Sequence, residues 1–166
     1  MNLTDALATE LGQALQLAGA QVTTAESCTG GGIAEAITRI AGSSAWFEAG
    51  FVTYSNEQKT RQLGVPAGLF DQVGAVSGEV VDAMVRGAQR VSGAHYGVAV
   101  SGVAGPGGGT PEKPVGTVWL AWAAGDQITS RRFQFSGDRQ AVREQTVEAA
   151  LVGLIRLAAG ENPSQG

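Results

Sequence analysis

The stretch VTTAESCTGGGI, residues 22–33, decides how this chain folds. Its first four residues are rich in β-branched side chains, which favour a short strand. A polar, glycine-rich segment follows at 26–32, and Ile33, Ile37 and Ile40 then recur at helical spacing. A strand, a tight polar turn and a helix in this order indicate an α/β fold.

The segments on either side continue the alternation of helices and strands. Upstream, leucines at steps of four predict an amphipathic helix over residues 3–18 that ends at Gly19. Downstream, the pattern predicts a strand at 46–54, a short helix from 55–56 to 64, a helical piece from 66, a helix capped by Ser77, strands at 95–101, 115–123 and 127–135, and a last helix from 137–139.

The last two strands flank residues 124–126, which are typical of a hairpin turn, so these strands should pair antiparallel. We therefore expect a single-domain, three-layer α/β/α sandwich with a mixed sheet and a late antiparallel hairpin. Residues 1–160 should form this domain, and residues 161–166 should form a flexible tail.

The composition excludes several classes of protein. Hydrophobic residues make up 43% of the 166 residues and charged residues 16%, a balance typical of globular domains. The net charge of -4 provides no general basic field for nucleic acid. No apolar run reaches the roughly 18–20 residues that span a bilayer, and the N-terminus lacks the basic start of a signal peptide. We expect a soluble, cytoplasmic protein with no nucleic-acid or membrane partner.

One cysteine and one histidine limit the chemistry further. Cys28 has no second cysteine with which to form an internal disulfide, and His95 alone builds no histidine–cysteine metal cluster. We therefore expect no bound metal.

Three polar segments follow directly on predicted strands: 26–32, 54–59 and 101–109. Ligands of open α/β sheets collect beyond the carboxyl ends of strands, so these segments should converge on one pocket. Ser27, next to the amides of Gly30 and Gly31 at a helix start, suits a nucleophile beside an oxyanion hole.

A serine nucleophile needs a base, and His95 lies at a strand start, away from the glycine turns. A lysine with a lowered pKa can take that role. Lys59 is therefore the candidate base, and Tyr54 is a candidate to relay or orient the proton.

Ordinary structural roles compete with each of these interpretations. Ser27 or Thr29 could serve only as a helix N-cap, and Cys28 could be either a small buried hydrophobe or a thiolate nucleophile. Lys59 alone would usually be a solvated helix residue, and Tyr54 alone would usually be half-buried strand packing.

The glycine-rich loop at 102–109 matches neither the Rossmann nor the P-loop spacing. Arg139 and Arg143, one turn apart at a helix start, could hold a phosphate. They could equally form a solvated face or an ion pair with Asp138.

Five successive strings together are more specific than any single residue. They are TAESCTGG at 24–31, FVTYSN at 51–56 with Lys59, VSGVAGPGG at 100–108, KPVGTV at 113–118 and FSGDR at 135–139. In order and spacing they resemble the motifs of the CinA C-terminal domain family, from about residue 5 to 158.

That resemblance implies hydrolysis of the carboxamide of nicotinamide mononucleotide to nicotinate mononucleotide and ammonia in pyridine-nucleotide salvage, without a cofactor. It implies Ser27 as the nucleophile, Lys59 as the base and Tyr54 as a supporting proton-transfer residue, with the oxyanion hole at the turn amides near Gly30. The implied substrate-binding residues are Thr29, Gly30, Gly31, Ser101, Gly102, Gly105, Gly107 and Arg139.

Other functions remain open at this point. A non-catalytic nucleotide-binding or partner-binding module of the same type could use the glycine turns without reacting. A general amidase for other small amides would share the same residues. The expected partners are a small-molecule nucleotide substrate and further copies of the chain, in a homo-oligomer that is a dimer or larger.

Overall fold

The structure is a computed structural model that describes residues 2–164. Its helices are α1 (Leu3–Ala18), α2 (Gly32–Thr38), α3 (Asn56–Leu63), α4 (Gly68–Gln72), α5 (Gly78–Ser92) and α6 (Arg139–Ala158). Its strands are β1 (Val22–Glu26), β2 (Phe47–Val52), β3 (Tyr96–Gly102), β4 (Thr117–Ala124) and β5 (Gln127–Gln134). A single 3-10 turn at Ser43–Ala45 precedes β2.

The strands form one mixed sheet in the order β2-β1-β3-β4-β5. β1 lies between β2 and β3 and is parallel to both, whereas β4 is antiparallel to β3 and to β5. β4 and β5 are joined by a two-residue turn, with Ala124 paired to Gln127. The predicted mixed sheet and late hairpin are therefore confirmed.

Helices cover both faces of this sheet, and each face has its own hydrophobic core. α1, α2 and α6 pack on one face, and α3, α4 and α5 pack on the other. The first core includes Leu11, Leu15, Ile33, Leu120, Trp122 and Leu151. The second includes Leu63, Val81, Met84, Val85, Ala99 and Ala121. This is the predicted three-layer α/β/α sandwich.

Local caps set the helix boundaries that position the site. The Asn2 side chain accepts the amide of Asp5 at the start of α1, and Gly19 ends α1 in the left-handed region. Ser55 caps α3 by accepting the amide of Gln58 at 3.1 Å. These polar and glycine signals are local in the sequence, which is why the pattern locates the helix ends.

The C-terminal segment contacts the sheet as far as it is described. Pro163 is buried, and Arg131 of β5 donates to the carbonyl of Ser164 at 2.7 Å. The flexibility expected for residues 161–166 stays a prediction, and 165–166 lie outside the described residues. Between residues 2 and 164, no helix combines the length and apolar character needed to cross a membrane.

The tightest helix-to-sheet contact generates a stability prediction. Trp122 is buried under α6 and donates through Nε1 to the carbonyl of Ala150 at 3.1 Å. A methyl group on Gly153 would lie 2.2 Å from the same nitrogen. Although alanine is the better helix former, Gly153→Ala should lower the free energy of unfolding by about 1–3 kcal/mol, measured by urea denaturation.

The matched control is Gly68→Ala in α4, where the added methyl group meets no atom nearer than 4.0 Å. This variant should unfold close to wild type. Equal stability of Gly153→Ala and wild type would contradict the close contact between α6 and the indole.

Candidate active site

The candidate site lies at the carboxyl ends of the three parallel strands. Ser27 follows β1 directly, Tyr54 follows β2, and the loop at 103–116 follows β3. β1 and β3 are neighbours, and the chain leaves β1 towards β2 but leaves β3 towards β4, which produces the crevice where α/β proteins bind ligands. The three segments predicted to converge do meet at this edge.

Ser27 and Lys59 are in direct contact. Lys59 Nζ lies 3.1 Å from Ser27 Oγ and donates to the carbonyl of Tyr54 at 2.9 Å. Ser27 Oγ also lies 3.4 Å from that carbonyl. α3 therefore brings a lysine from 32 residues further along the chain to the serine at the end of β1.

The Lys59 amine is a buried ionisable group. The side chain is 1% exposed, and within residues 2–164 no carboxylate lies within 4.0 Å of its nitrogen. Burial disfavours the charged ammonium and lowers the pKa of Lys59 below its ordinary value, an effect that the nearby Cys28 thiol opposes only in part. A neutral amine in contact with a hydroxyl is the arrangement that general-base catalysis requires.

Cys28, the alternative nucleophile, lies in a different environment. Its side chain is buried in the core beneath α1, α2 and α6. Burial raises the pKa of the Cys28 thiol to about 11. A thiol with this pKa stays protonated near neutral pH, so the surroundings disfavour Cys28 as a thiolate nucleophile.

The turn after Ser27 has a constrained backbone. Gly30 and Gly31 have φ angles of 59° and 102°, in the left-handed region, where a residue with a side chain would be strained. The amide of Ser27 donates to the carbonyl of Val100, and the amide of Gly30 donates back to the carbonyl of Ser27 at 3.0 Å. Within residues 2–164 the amides of Cys28, Thr29 and Gly31 have no protein acceptor, so the turn offers free donors on both sides of Gly30.

Glu26 organises the same turn and was not singled out by the sequence analysis. Its fully buried carboxylate accepts the amides of Ile33 and Ala34 at 2.8 and 3.0 Å, together with the hydroxyl of Thr29. A negative charge at the start of α2 is favoured by the helix dipole. The available signal was an acidic residue at the end of a buried strand, immediately before a helix start.

Arg143 of α6 holds the outer side of the turn. Its Nε donates to the carbonyl of Cys28 at 3.1 Å, and its Nη2 donates to the carbonyl of Thr29 at 3.0 Å. The sequence analysis considered this arginine only for phosphate, for a solvated face or for an ion pair.

Tyr54 and Arg139 form the rim of the site. The Tyr54 side chain is 58% exposed, and its hydroxyl accepts from Arg139 Nη2 at 3.0 Å. Arg139 Nη1 donates to the carbonyl of Gly105 at 2.9 Å. The Tyr54 carbonyl thus contacts the serine–lysine pair, whereas the phenol lies at the rim and contacts Arg139. The proton relay through Tyr54 stays a prediction.

Asp138 does not neutralise Arg139. Its carboxylate accepts the amide of Ala141 at 2.9 Å and caps α6. Between residues 2 and 164, Arg139 has no carboxylate within 4.0 Å.

A cavity of about 1180 Å³ adjoins the outer side of the turn. Thr29, Gly105 and Arg139, all predicted substrate-binding residues, line it together with Arg143. The serine–lysine pair lies beside this space rather than among its lining residues. The cavity has room for the part of a nucleotide that lies beyond a reacting group held at Ser27.

The other predicted substrate residues divide into two groups. Ser101 is buried inside β3, and Gly102 is the last residue of that strand, packed against Val118. Gly107 is exposed on the loop.

No group of three or more potential metal ligands occurs in the part of the chain that the structure describes.

Comparison with known proteins gives one consistent group. A family model described as the CinA C-terminal domain matches residues 4–158. A Pseudomonas putida protein named nicotinamide-nucleotide amidohydrolase PncC is 74% identical over 151 residues, covering 91% of this chain and 94% of that protein. A protein of the same name from Escherichia coli K12 is 58% identical over 147 residues, covering 87% and 88%.

Solved structures agree with the sequence comparison. A CinA superfamily protein from Klebsiella pneumoniae matches with a TM-score of 0.92 and 41% identity, covering 96% of this chain and 99% of that one. The competence/damage inducible protein CihA from Agrobacterium tumefaciens matches with a TM-score of 0.92 and 43% identity, covering 95% and 96%.

The buried amine predicts a pH-dependent stability. The folded chain holds the pKa of Lys59 below the value of about 10.4 that lysine has when unfolded. Between those two values the unfolded chain binds more protons, so the stability contributed by this group rises with pH. The difference in unfolding free energy, wild type minus Lys59→Met, should therefore increase as the pH rises through this window.

The measurement is chemical denaturation of both proteins at a series of pH values. Because both proteins contain Cys28, its titration largely cancels in the difference. A difference that stays constant with pH would show that the amine has an ordinary pKa in the folded protein.

Proposed function

This chain belongs to the CinA C-terminal domain family, and we propose that it hydrolyses the carboxamide of nicotinamide mononucleotide, using Ser27 as nucleophile and Lys59 as base. The relatives named nicotinamide-nucleotide amidohydrolase, at 74% and 58% identity, support the reaction. The observation that carries the mechanism is the 3.1 Å contact between Lys59 Nζ and Ser27 Oγ in a buried site.

The reaction proceeds in two halves. The neutral Lys59 amine takes the proton of Ser27 as Oγ attacks the carboxamide carbon. The tetrahedral intermediate collapses when the lysine ammonium returns the proton to the leaving nitrogen, which departs as ammonia. Water then attacks the Ser27 ester, again with Lys59 accepting a proton, and the carboxylate product leaves as Ser27 regains its hydrogen.

The negative oxygen of the intermediate needs donors near Ser27. The amides of Ser27 and Gly30 already have protein acceptors, whereas those of Cys28, Thr29 and Gly31 have none within residues 2–164. Of these three we choose the Thr29 amide as the candidate donor, because Arg143 binds the carbonyl of the same peptide group. The Thr29 amide adjoins Gly30, so this assignment lies within the turn amides predicted to form the oxyanion hole.

The nucleotide part of the substrate occupies the cavity beside the turn in this proposal. Arg139 lines the cavity, and among the described residues its guanidinium donates only to neutral oxygens. A positive charge without a carboxylate partner can bind the 5′-phosphate at little cost in broken ion pairs. The cytoplasmic location and the homo-oligomeric state remain predictions.

The first experiment on this function is ammonia release from nicotinamide mononucleotide by the metal-free protein. Ser27→Ala and Lys59→Met should each lower kcat by at least roughly 10³-fold, because the pair acts as a unit. Cys28→Ala is the matched control at the adjacent residue and should keep most of the turnover.

Loss of turnover in Cys28→Ala with retention in Ser27→Ala would reverse the nucleophile assignment. A wild type that binds the nucleotide saturably, releases no ammonia and is indifferent to Lys59→Met would identify a binding module instead.

Selectivity for the phosphorylated substrate tests Arg139. Removing a charged hydrogen-bond donor costs about 1.5–3 kcal/mol, so Arg139→Gln should lower the kcat/KM preference for the mononucleotide over the unphosphorylated nucleoside by roughly 10- to 100-fold. Arg156→Gln, in the last turn of the same helix, is the control and should keep the preference.

Equal turnover of the mononucleotide and the nucleoside by wild type would remove the need for a phosphate site. That result would favour the general amidase.

A further inference from the structure

Arg143 makes a two-pronged contact with the backbone of the nucleophile turn. Nε binds the carbonyl of Cys28, and Nη2 binds the carbonyl of Thr29, from a helix 114 and 115 residues further along the chain. The guanidinium is a rigid planar fork, so two simultaneous bonds fix both the position and the tilt of successive peptide groups.

The orientation of these carbonyls determines where the opposing amides point. In a trans peptide the C=O and N–H bonds point in opposite directions. The carbonyl of Cys28 belongs to the same peptide group as the Thr29 amide, so binding of that carbonyl by Arg143 directs the Thr29 N–H away from the guanidinium. It is one of three amides of the turn, with those of Cys28 and Gly31, that have no protein acceptor among residues 2–164.

The charge of Arg143 acts through the same peptide group. Within residues 2–164 no carboxylate lies within 4.0 Å of the guanidinium, so no ion pair offsets its charge. A cation bound to a carbonyl oxygen polarises the peptide and strengthens hydrogen bonds donated by its N–H. The arrangement places a positive charge behind a donor that faces away from it.

The turn is shaped to admit this arginine. A methyl group on Gly30 would lie 3.2 Å from Arg143 Nη2, and the φ of Gly30 is 59°. Residue 30 thus needs the freedom of glycine for its backbone, and the missing side chain leaves space for the guanidinium.

We propose that Arg143 is a positioning residue that aims and polarises the Thr29 amide towards the oxyanion formed during attack by Ser27. This inference rests on the proposed amide hydrolysis. It assigns Arg143 no contact with the substrate, although the residue also lines the adjoining cavity. Its contribution therefore belongs to the transition state and not to substrate binding.

The test compares kcat and KM for nicotinamide mononucleotide in Arg143→Lys and Arg143→Ala. We expect kcat to fall by roughly 10- to 100-fold in Arg143→Ala with KM nearly unchanged, a smaller effect than the roughly 10²- to 10³-fold cost of deleting an oxyanion donor outright. Arg143→Lys keeps the charge and one bond, so its kcat should lie between those of Arg143→Ala and wild type.

Chemical rescue separates positioning from general support of the fold. Guanidinium ion, added well below denaturing concentrations, should restore part of the kcat of Arg143→Ala because it can occupy the vacated space and bind the same carbonyls. A variant impaired only by loosened packing gains nothing from the added ion.

Arg86 provides a matched control at the opposite end of the sheet. It also projects from a helix and binds two successive carbonyls of a turn, those of Gly125 and Asp126, at 2.7 and 2.8 Å. Arg86→Ala should lose a comparable amount of thermal stability, keep wild-type kcat and show no response to guanidinium.

Three outcomes would overturn the inference. A raised KM with unchanged kcat and a lost preference for the phosphorylated substrate would make Arg143 a phosphate ligand. Equal kcat in Arg143→Ala and wild type would show that Arg143 has no positioning role. Equal kcat losses in Arg143→Ala and Arg86→Ala would show that Arg143 contributes only to the stability of the fold. An inactive wild type would instead sink the proposed function itself, which keeps the two failures distinct.

Discussion

The active edge depends on a buried carboxylate that is satisfied without a cation. Glu26 ends β1 with no exposed surface, and its oxygens accept two amides at the start of α2 and the hydroxyl of Thr29. An unsatisfied buried carboxylate costs several kcal/mol, so these bonds fix the distance between strand and helix. The turn carrying Ser27 must fit that distance, and it does so through two glycines in the left-handed region.

A second constraint acts against stability at the same place. In the part of the chain that the structure describes, the buried Lys59 amine has a carbonyl and a hydroxyl as partners but no anion, so the folded state is stabilised elsewhere, by the cores on the two sheet faces. α3 itself buries only Lys59 and Leu63. Burial lowers the pKa of Lys59 and so favours the neutral amine, the form that can accept a proton from Ser27, in a stability–activity trade-off often found at active sites.

The sequence predicted the features that local patterns encode. The strand–turn–helix at 22–33, the capped start of α3 and the hairpin are set by neighbouring residues, and the rule for parallel strands predicted that the segments carrying Ser27 and Lys59 converge. The 3.1 Å contact between the two side chains is a feature of the tertiary structure. The contacts of Arg143 with the turn were missed because they span more than 100 residues and depend on how α6 packs. The different contacts of the two Tyr54 groups also depend on tertiary structure, since the carbonyl accepts from Lys59 and the phenol accepts from Arg139.

The choice between two adjacent nucleophiles shows why chemistry at this turn is decided by surroundings and not by residue type. A thiol is intrinsically the better nucleophile, but only as a thiolate, and burial raises the pKa of Cys28 to about 11. The Ser27 hydroxyl needs no prior ionisation when a base stands 3.1 Å away. Cys28 is buried in the core, whereas Ser27 contacts Lys59, so the serine is the usable nucleophile although it is intrinsically the weaker one. Glu26 and Arg143 hold the turn that keeps the two environments apart.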